Sequence, residues 1–158
     1  EMQRSLVGSE MCIRDSDEAS AFFGGLAGNA GLFSTARDVA RVYQMLLNGG
    51  EIDGQRYLSK ETCQLFTTET SKISRRGLGF DKPDADDPKK GNCAPAAPAE
   101  VYGHTGFTGT CAWVDPMNEL VYVFLSNRIY PDVTNRKLNQ LHIRERIQGA
   151  IYDAMKKK

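Results

Sequence analysis

Apolar positions along this chain change period several times, and each change marks an element. Val39, Val42, Tyr43, Leu46 and Leu47 recur at three and four residues, which predicts a helix with one apolar face. Ser34 or Thr35 stands where that helix should start, Asp38 meets its positive end, and Gly49–Gly50 stops it. The stretch "EIDGQRYL" reads as a small hairpin around Asp53–Gly54, and "SKETCQLFTT" as a short helix capped by Ser59. "RGLGF" reads as a short strand. "TCAWV" and "LVYVFLSN" are β-branched and aromatic, and "DPMNE" between them is turn chemistry, so the two predict an antiparallel hairpin. Trp113, Val121, Val123 and Leu125 are its expected core or sheet-face residues. Leu138, Leu141, Ile147, Ala150, Ile151, Ala154 and Met155 return to helical spacing, an amphipathic C-terminal helix ready to lie on the sheet. An antiparallel sheet covered by helices is an α+β layered fold.

Two stretches lack a period. Residues 81–100 carry four prolines, several alanines and excess acid, which predicts an irregular loop that is either floppy or close to a site. Gly24, Gly25, Gly28 and Gly31 match the spacing of neither a dinucleotide fingerprint nor a P-loop, so close backbone packing is their expected role.

Composition narrows the classes. A chain of 158 residues with 41% apolar and 25% charged residues fits one globular domain. Acids and bases balance at 20 each, which gives no electrostatic case for nucleic acid. The basic end, Lys156 to Lys158, reads as a solvated helix terminus. No apolar run reaches the length of a membrane span. Cys12, Cys63, Cys93 and Cys111 form no C-x-x-C pair, and His104 and His142 are not at ligand spacing; no metal and no other cofactor is expected.

The opening "EMQRSLVGSEMCIRDS" has no helical or strand period and lacks the core of a signal peptide. It resembles a peptide made when adapter DNA is translated at a broken fragment end. The expectation is that residues 1–16 are non-native, that the native segment is 17–158, and that the gene was cut upstream.

The most informative stretch is "YGHTGFTGTCAWVD", residues 102 to 115, where a histidine sits among glycines and threonines at the start of a strand. Such low bulk suits a tight hairpin, or a strand edge that a substrate approaches closely. Together with "GLAGNAGLFSTARDVARVYQMLLNGG" and "YVFLSNRIYP", in that order, it resembles the C-terminal part of the serine β-lactamase and penicillin-binding-protein superfamily. The likeness is greatest to the β-lactamase-like module fused behind a family 3 glycoside hydrolase in Bacteroidetes. The resemblance covers Asp17 to Lys158 and implies a partial β-lactamase/transpeptidase-like fold. It also implies a periplasmic or exported protein, β-lactam, peptidoglycan-peptide or ester substrates, and a glycoside hydrolase domain upstream.

Residue by residue, the resemblance puts His104 where such enzymes usually carry lysine, offering a donor or a cation to the hydroxyl network. Thr105 adds a hydroxyl beside it, and these two are the expected catalytic residues. Gly106 leaves room for the acyl group, and the backbone N–H of Phe107 is one half of an oxyanion hole. His142 has no partner signature and is expected at the surface. Cys111, just after the motif, suits a crowded strand, and a reactive thiol there would need a base that the sequence does not offer.

No serine is followed three positions later by lysine, and there is no Y-x-N or S-x-N. Ser34 comes nearest, with Arg37, and a guanidinium cannot serve as a base at neutral pH. Three readings follow. The chain is a C-terminal fragment of a serine hydrolase, inactive alone; or a non-catalytic module attached to a glycoside hydrolase; or a structural α+β domain with no site.

Overall fold

The computed structural model describes residues 32–157 except 69, 70, 85, 88 and 89. The expected non-native segment, the four early glycines and Cys12 lie outside the described residues. The chain divides into Glu1–Thr35 and Ala36–Lys158, and the second unit contains every helix and strand described below.

Helix α1 (Ala36–Leu47) begins directly after Thr35, where the sequence places its start. It is followed by a minimal hairpin of β1 (Glu51–Ile52) and β2 (Gln55–Arg56). Asp53 and Gly54 both take positive φ, 54° and 75°, as a two-residue turn between right-twisted strands requires. Helix α2 (Lys60–Thr68) is capped as expected, because the Ser59 hydroxyl accepts from the Thr62 N–H at 3.1 Å. A three-stranded antiparallel sheet follows in the order β3 (Tyr102–Thr105), β4 (Cys111–Asp115), β5 (Leu120–Phe124). The chain closes with α3 (Lys137–Gln140) and α4 (Ile143–Met155). The architecture is α+β.

Register fixes which residues share a face. Gly103 pairs with Trp113 and Trp113 with Tyr122, while His104 pairs with Ala112 and Ala112 with Val123. Alternation then puts Gly103, Thr105, Cys111, Trp113, Tyr122 and Phe124 on one face. Cys111, Trp113 and Tyr122 join Cys93 and Val101 in the buried core, and Ile151 of α4 packs against it. On the opposite face Tyr102 meets the ring of Phe80, 5.2 Å between centroids, and Phe80 meets Tyr43 of α1 at 6.3 Å. The sheet thus has α4 on one side and α1 on the other.

The structure corrects the sequence at four places. "RGLGF" is not a strand; only Asp81 pairs in β fashion, with Gly103 at the open edge of β3, through bonds of 2.7 and 3.1 Å. The single C-terminal helix is two, broken where His142 takes a left-handed φ of 49°. Its buried stripe is not the apolar one either. Arg144, Gln148 and Tyr152, four residues apart, face inward, whereas Leu141 and Ile147 are exposed. Two of these polar groups meet a partner inside: Gln148 Oε1 accepts from the Ala94 N–H at 2.8 Å, and the Tyr152 hydroxyl donates to Asp115 at 2.9 Å. Finally, Leu125 lies past the end of β5 and is exposed, while Trp113 is 1% exposed and Val121 and Val123 are half-buried.

Between Asp81 and Val101 the described residues form no helix or strand, but they are tied down. Asn92 donates to Asp81, Ala94 to Gln148, and Cys93 is buried in the core.

Candidate active site

The turn between β3 and β4 shapes the site. The Gly106 N–H donates to the Thr110 carbonyl at 2.8 Å and the Gly109 N–H to the Gly106 carbonyl at 3.0 Å, closing a tight loop over residues 106–110. A Cβ on Gly106 would come within 2.3 Å of the Thr110 hydroxyl. A side chain there would make the Thr110 hydroxyl turn away, while the other atoms of the turn stand 3.7 Å or more off. The end of β5 is pinned to the same loop, since the Arg128 N–H donates to the Thr108 carbonyl at 2.9 Å.

Beside this turn lies a cleft of about 520 Å³. Thr105, Gly106 and Phe107 form one wall; Arg128, His142 and Arg144 are among the residues of the others, with Lys90 and Asn92 from the tied-down loop. Lys90, Arg128 and Arg144 set three full positive charges against one acid, Glu145, so the cleft favours an anion. The Arg128 guanidinium sits 4.8 Å from the centroid of the exposed Phe107 ring, a cation–π contact that holds both at the rim. Among the described residues the Phe107 backbone N–H has no acceptor, so it is available to donate.

His104 is not part of this wall. Alternation along β3 turns it to the Tyr102 face, half-buried. An arginine N–H can only donate, so the 3.1 Å contact with Arg76 makes the imidazole Nε2 an acceptor. Nδ1 then donates to the Thr105 carbonyl at 2.7 Å. The cation beside the strand is Arg76, which no pattern along the chain singled out.

His142 is exposed, as expected, but it lies on the cleft, placed there by the break between α3 and α4. Arg144 is buried and gives one guanidinium nitrogen to Asn139 at 3.1 Å; its Nε and Glu145 Oε2 have no partner among the described residues. The thiols are poor nucleophiles. Burial pushes Cys111 up to about 11, and burial with the Asp81 charge pushes Cys93 up to about 12. Among the described residues no group of three or more His, Cys, Asp or Glu is placed to hold a metal ion.

A family model described as Beta-lactamase matches residues 5–145. Two Escherichia coli proteins, from O157:H7 and strain K12, each named putative D-alanyl-D-alanine carboxypeptidase, are 36% and 35% identical over 124 residues. Those matches cover 77% of this chain and 28% of each relative. A protein of the same name from Salmonella typhi is 35% identical over 116 residues. The chain therefore spans little more than a quarter of the length of these curated relatives. Among solved structures, a penicillin-binding protein homolog from Caulobacter crescentus is 26% identical with a TM-score of 0.48, covering 60% of this chain and 26% of that one.

Proposed function

The chain belongs to the β-lactamase family, and on that premise we propose that it supplies the Thr105–Phe107 wall of a serine acyl-hydrolase site whose nucleophile motif is not among these 158 residues. The observation that carries this reading is the juxtaposition of Thr105, Gly106 and the unpartnered Phe107 N–H on one wall of a cationic cleft. In this role the Phe107 N–H donates to the oxyanion that forms when an acyl carbonyl is attacked. One such donor contributes roughly 3 kcal/mol to lowering the barrier. The Thr105 hydroxyl and the Arg128 guanidinium bind a carboxylate of the substrate. His104, oriented by its bond to the Thr105 carbonyl and by Arg76, acts from the other face of β3 on the hydroxyl network of the nucleophile.

The substrate class that the relatives' names support is an acyl-D-alanyl-D-alanine peptide, or a β-lactam that mimics it. Such a substrate belongs to the periplasm or cell exterior. The resemblance adds a glycoside hydrolase domain upstream, for which a sequence read through the upstream coding region is the direct test.

For the site itself, an N-acylated D-alanyl-D-alanine dipeptide is titrated into the whole chain while backbone amide signals are followed. The shifts should gather at Thr105, Gly106, Phe107 and Arg128, and Arg128→Ala should weaken binding by roughly tenfold. A fluorescent penicillin should leave this chain unlabelled, and should label a polypeptide that carries S-x-x-K and Y-x-N ahead of it. Dipeptide shifts that avoid the Thr105–Phe107 wall would sink the proposal.

A further inference from the structure

A second cavity, of about 690 Å³, opens between the C-terminal end of α1, helix α2 and the turn joining β4 to β5. It shares no lining residue with the Thr105 cleft. Leu46, Leu47 and Met117 give it apolar walls, and its size falls within the range of small-molecule sites.

One charged group on its wall is out of place. Lys82 is only 7% exposed, and its ammonium donates to the Thr67 carbonyl at 3.0 Å. An ammonium carries three donors, and no carboxylate among the described residues lies within ion-pair distance of it. Burial lowers its pKa, with the Glu100 charge working the other way. A buried cation without a counter-ion is costly, and a bound anion removes that cost. The exposed Lys60 lines the same cavity, so two ammonium groups stand against one acid, Glu100, beside apolar walls, a pattern that suits a ligand with an apolar body and one negative charge.

We propose that this cavity binds an amphiphilic carboxylate, its apolar body against Leu46, Leu47 and Met117 and its carboxylate on the Lys82 ammonium. Glu100, exposed on the same wall, opposes the anion and weakens binding.

Octanoate and 1-octanol are titrated separately into the whole 158-residue chain, with backbone amide signals as the readout. Octanoate should shift Cys63, Thr67, Lys82 and Met117, and should bind more tightly than octanol. Lys82→Met should weaken octanoate by about tenfold and leave octanol unchanged. Glu100→Gln, a change on an exposed side chain, should tighten octanoate by roughly twofold. Equal binding of the acid and the alcohol, or shifts confined to the Thr105 cleft, overturns the proposal. Should Lys82→Met not fold, Glu100→Gln decides alone, and unchanged octanoate affinity in that variant rejects it.

Discussion

Gly103, one residue before His104, decides whether β3 can sit on β4 at all. A Cβ there would lie 2.1 Å from the Ala112 carbonyl oxygen, 2.7 Å from Trp113 Cε3 and 2.8 Å from Trp113 Cα. Two of those three atoms are backbone and cannot rotate away. In Gly103→Ala the strand must recede by about 1 Å, enough to break N–H···O bonds that start near 2.9 Å. Losing two ladder bonds costs about 2 kcal/mol, at roughly 1 kcal/mol each. Overpacking against Trp113 adds about 1–3 kcal/mol. The alanine recovers roughly 0.5–1 kcal/mol by restricting the unfolded chain. The net expectation is a loss of about 3 kcal/mol, or a urea midpoint lower by about 1.5 M for a slope near 2 kcal/mol/M. Trp113 is the only tryptophan in the chain and lies against Gly103, so its fluorescence reports the transition from the right place. Gly54→Ala is the control: its φ is +75°, yet a Cβ meets nothing within 4 Å, so only backbone strain of about 1 kcal/mol is expected. A Gly103→Ala midpoint equal to or above that of the parent would refute the seating of β3 on β4.

Asp115 is buried and accepts from the Met117 and Asn118 N–H groups, the Asn118 amide and the Tyr152 hydroxyl. Tyr152→Phe removes one of four donors and should cost about 1.5–2 kcal/mol in urea unfolding, with the far-ultraviolet spectrum unchanged. At Asp81, burial works to raise the carboxyl pKa, but the Arg75 fork at 2.7 and 3.0 Å and the Asn92 amide outweigh it and hold it below the ordinary value. The resulting stability is present above the ordinary aspartate pKa of about 4 and is lost as pH falls through the lower folded value. Arg75→Met should therefore cost about 2–3 kcal/mol at neutral pH and flatten the acid side of the stability profile, as read by melts between pH 2 and 7. The buried thiols titrate in the opposite sense: the stability linked to Cys111 and Cys93 is intact below their ordinary value of 9.0 and declines as pH climbs toward about 11 and about 12 respectively. Iodoacetamide at pH 8 should leave both unmodified in the folded chain, and rapid native-state alkylation would contradict their burial. Leu65, Phe66 and Ile73 are 51%, 45% and 96% exposed, so sedimentation should find the chain self-associating, and a strictly monomeric species at high concentration would count against that.

Local chemistry wrote much of this structure into the sequence. The Asp53–Gly54 turn, the Ser59 cap and the hairpin from Cys111 to Phe124 each follow from residues within a few positions of one another, where backbone preference and side-chain capping act without distant partners. The H-T-G strand and its low bulk were legible too, because close approach of backbone leaves glycine as its mark at Gly103.

What the sequence could not carry are the facts set by which face meets which neighbour. The period of the last helix pointed to Ile147 and Ala150, yet Arg144, Gln148 and Tyr152 turned inward; the Ala94 N–H meets Gln148, Asp115 meets the Tyr152 hydroxyl, and Tyr122 donates to the Arg144 backbone carbonyl. A hydrophobicity pattern assigns such residues to solvent, since it cannot see partners from loops dozens of residues away. The same blindness hid Arg76 behind His104, Arg128 over Phe107, and the uncompensated ammonium of Lys82. Sequence alone determined most of the elements and the family likeness, for those rest on short-range propensity and ordered motifs, though not the break at His142 or the absence of a strand at "RGLGF". Only the tertiary structure decided which side of β3 each site residue faces and which charges stand together, because burial and electrostatics depend on distance in space and not along the chain.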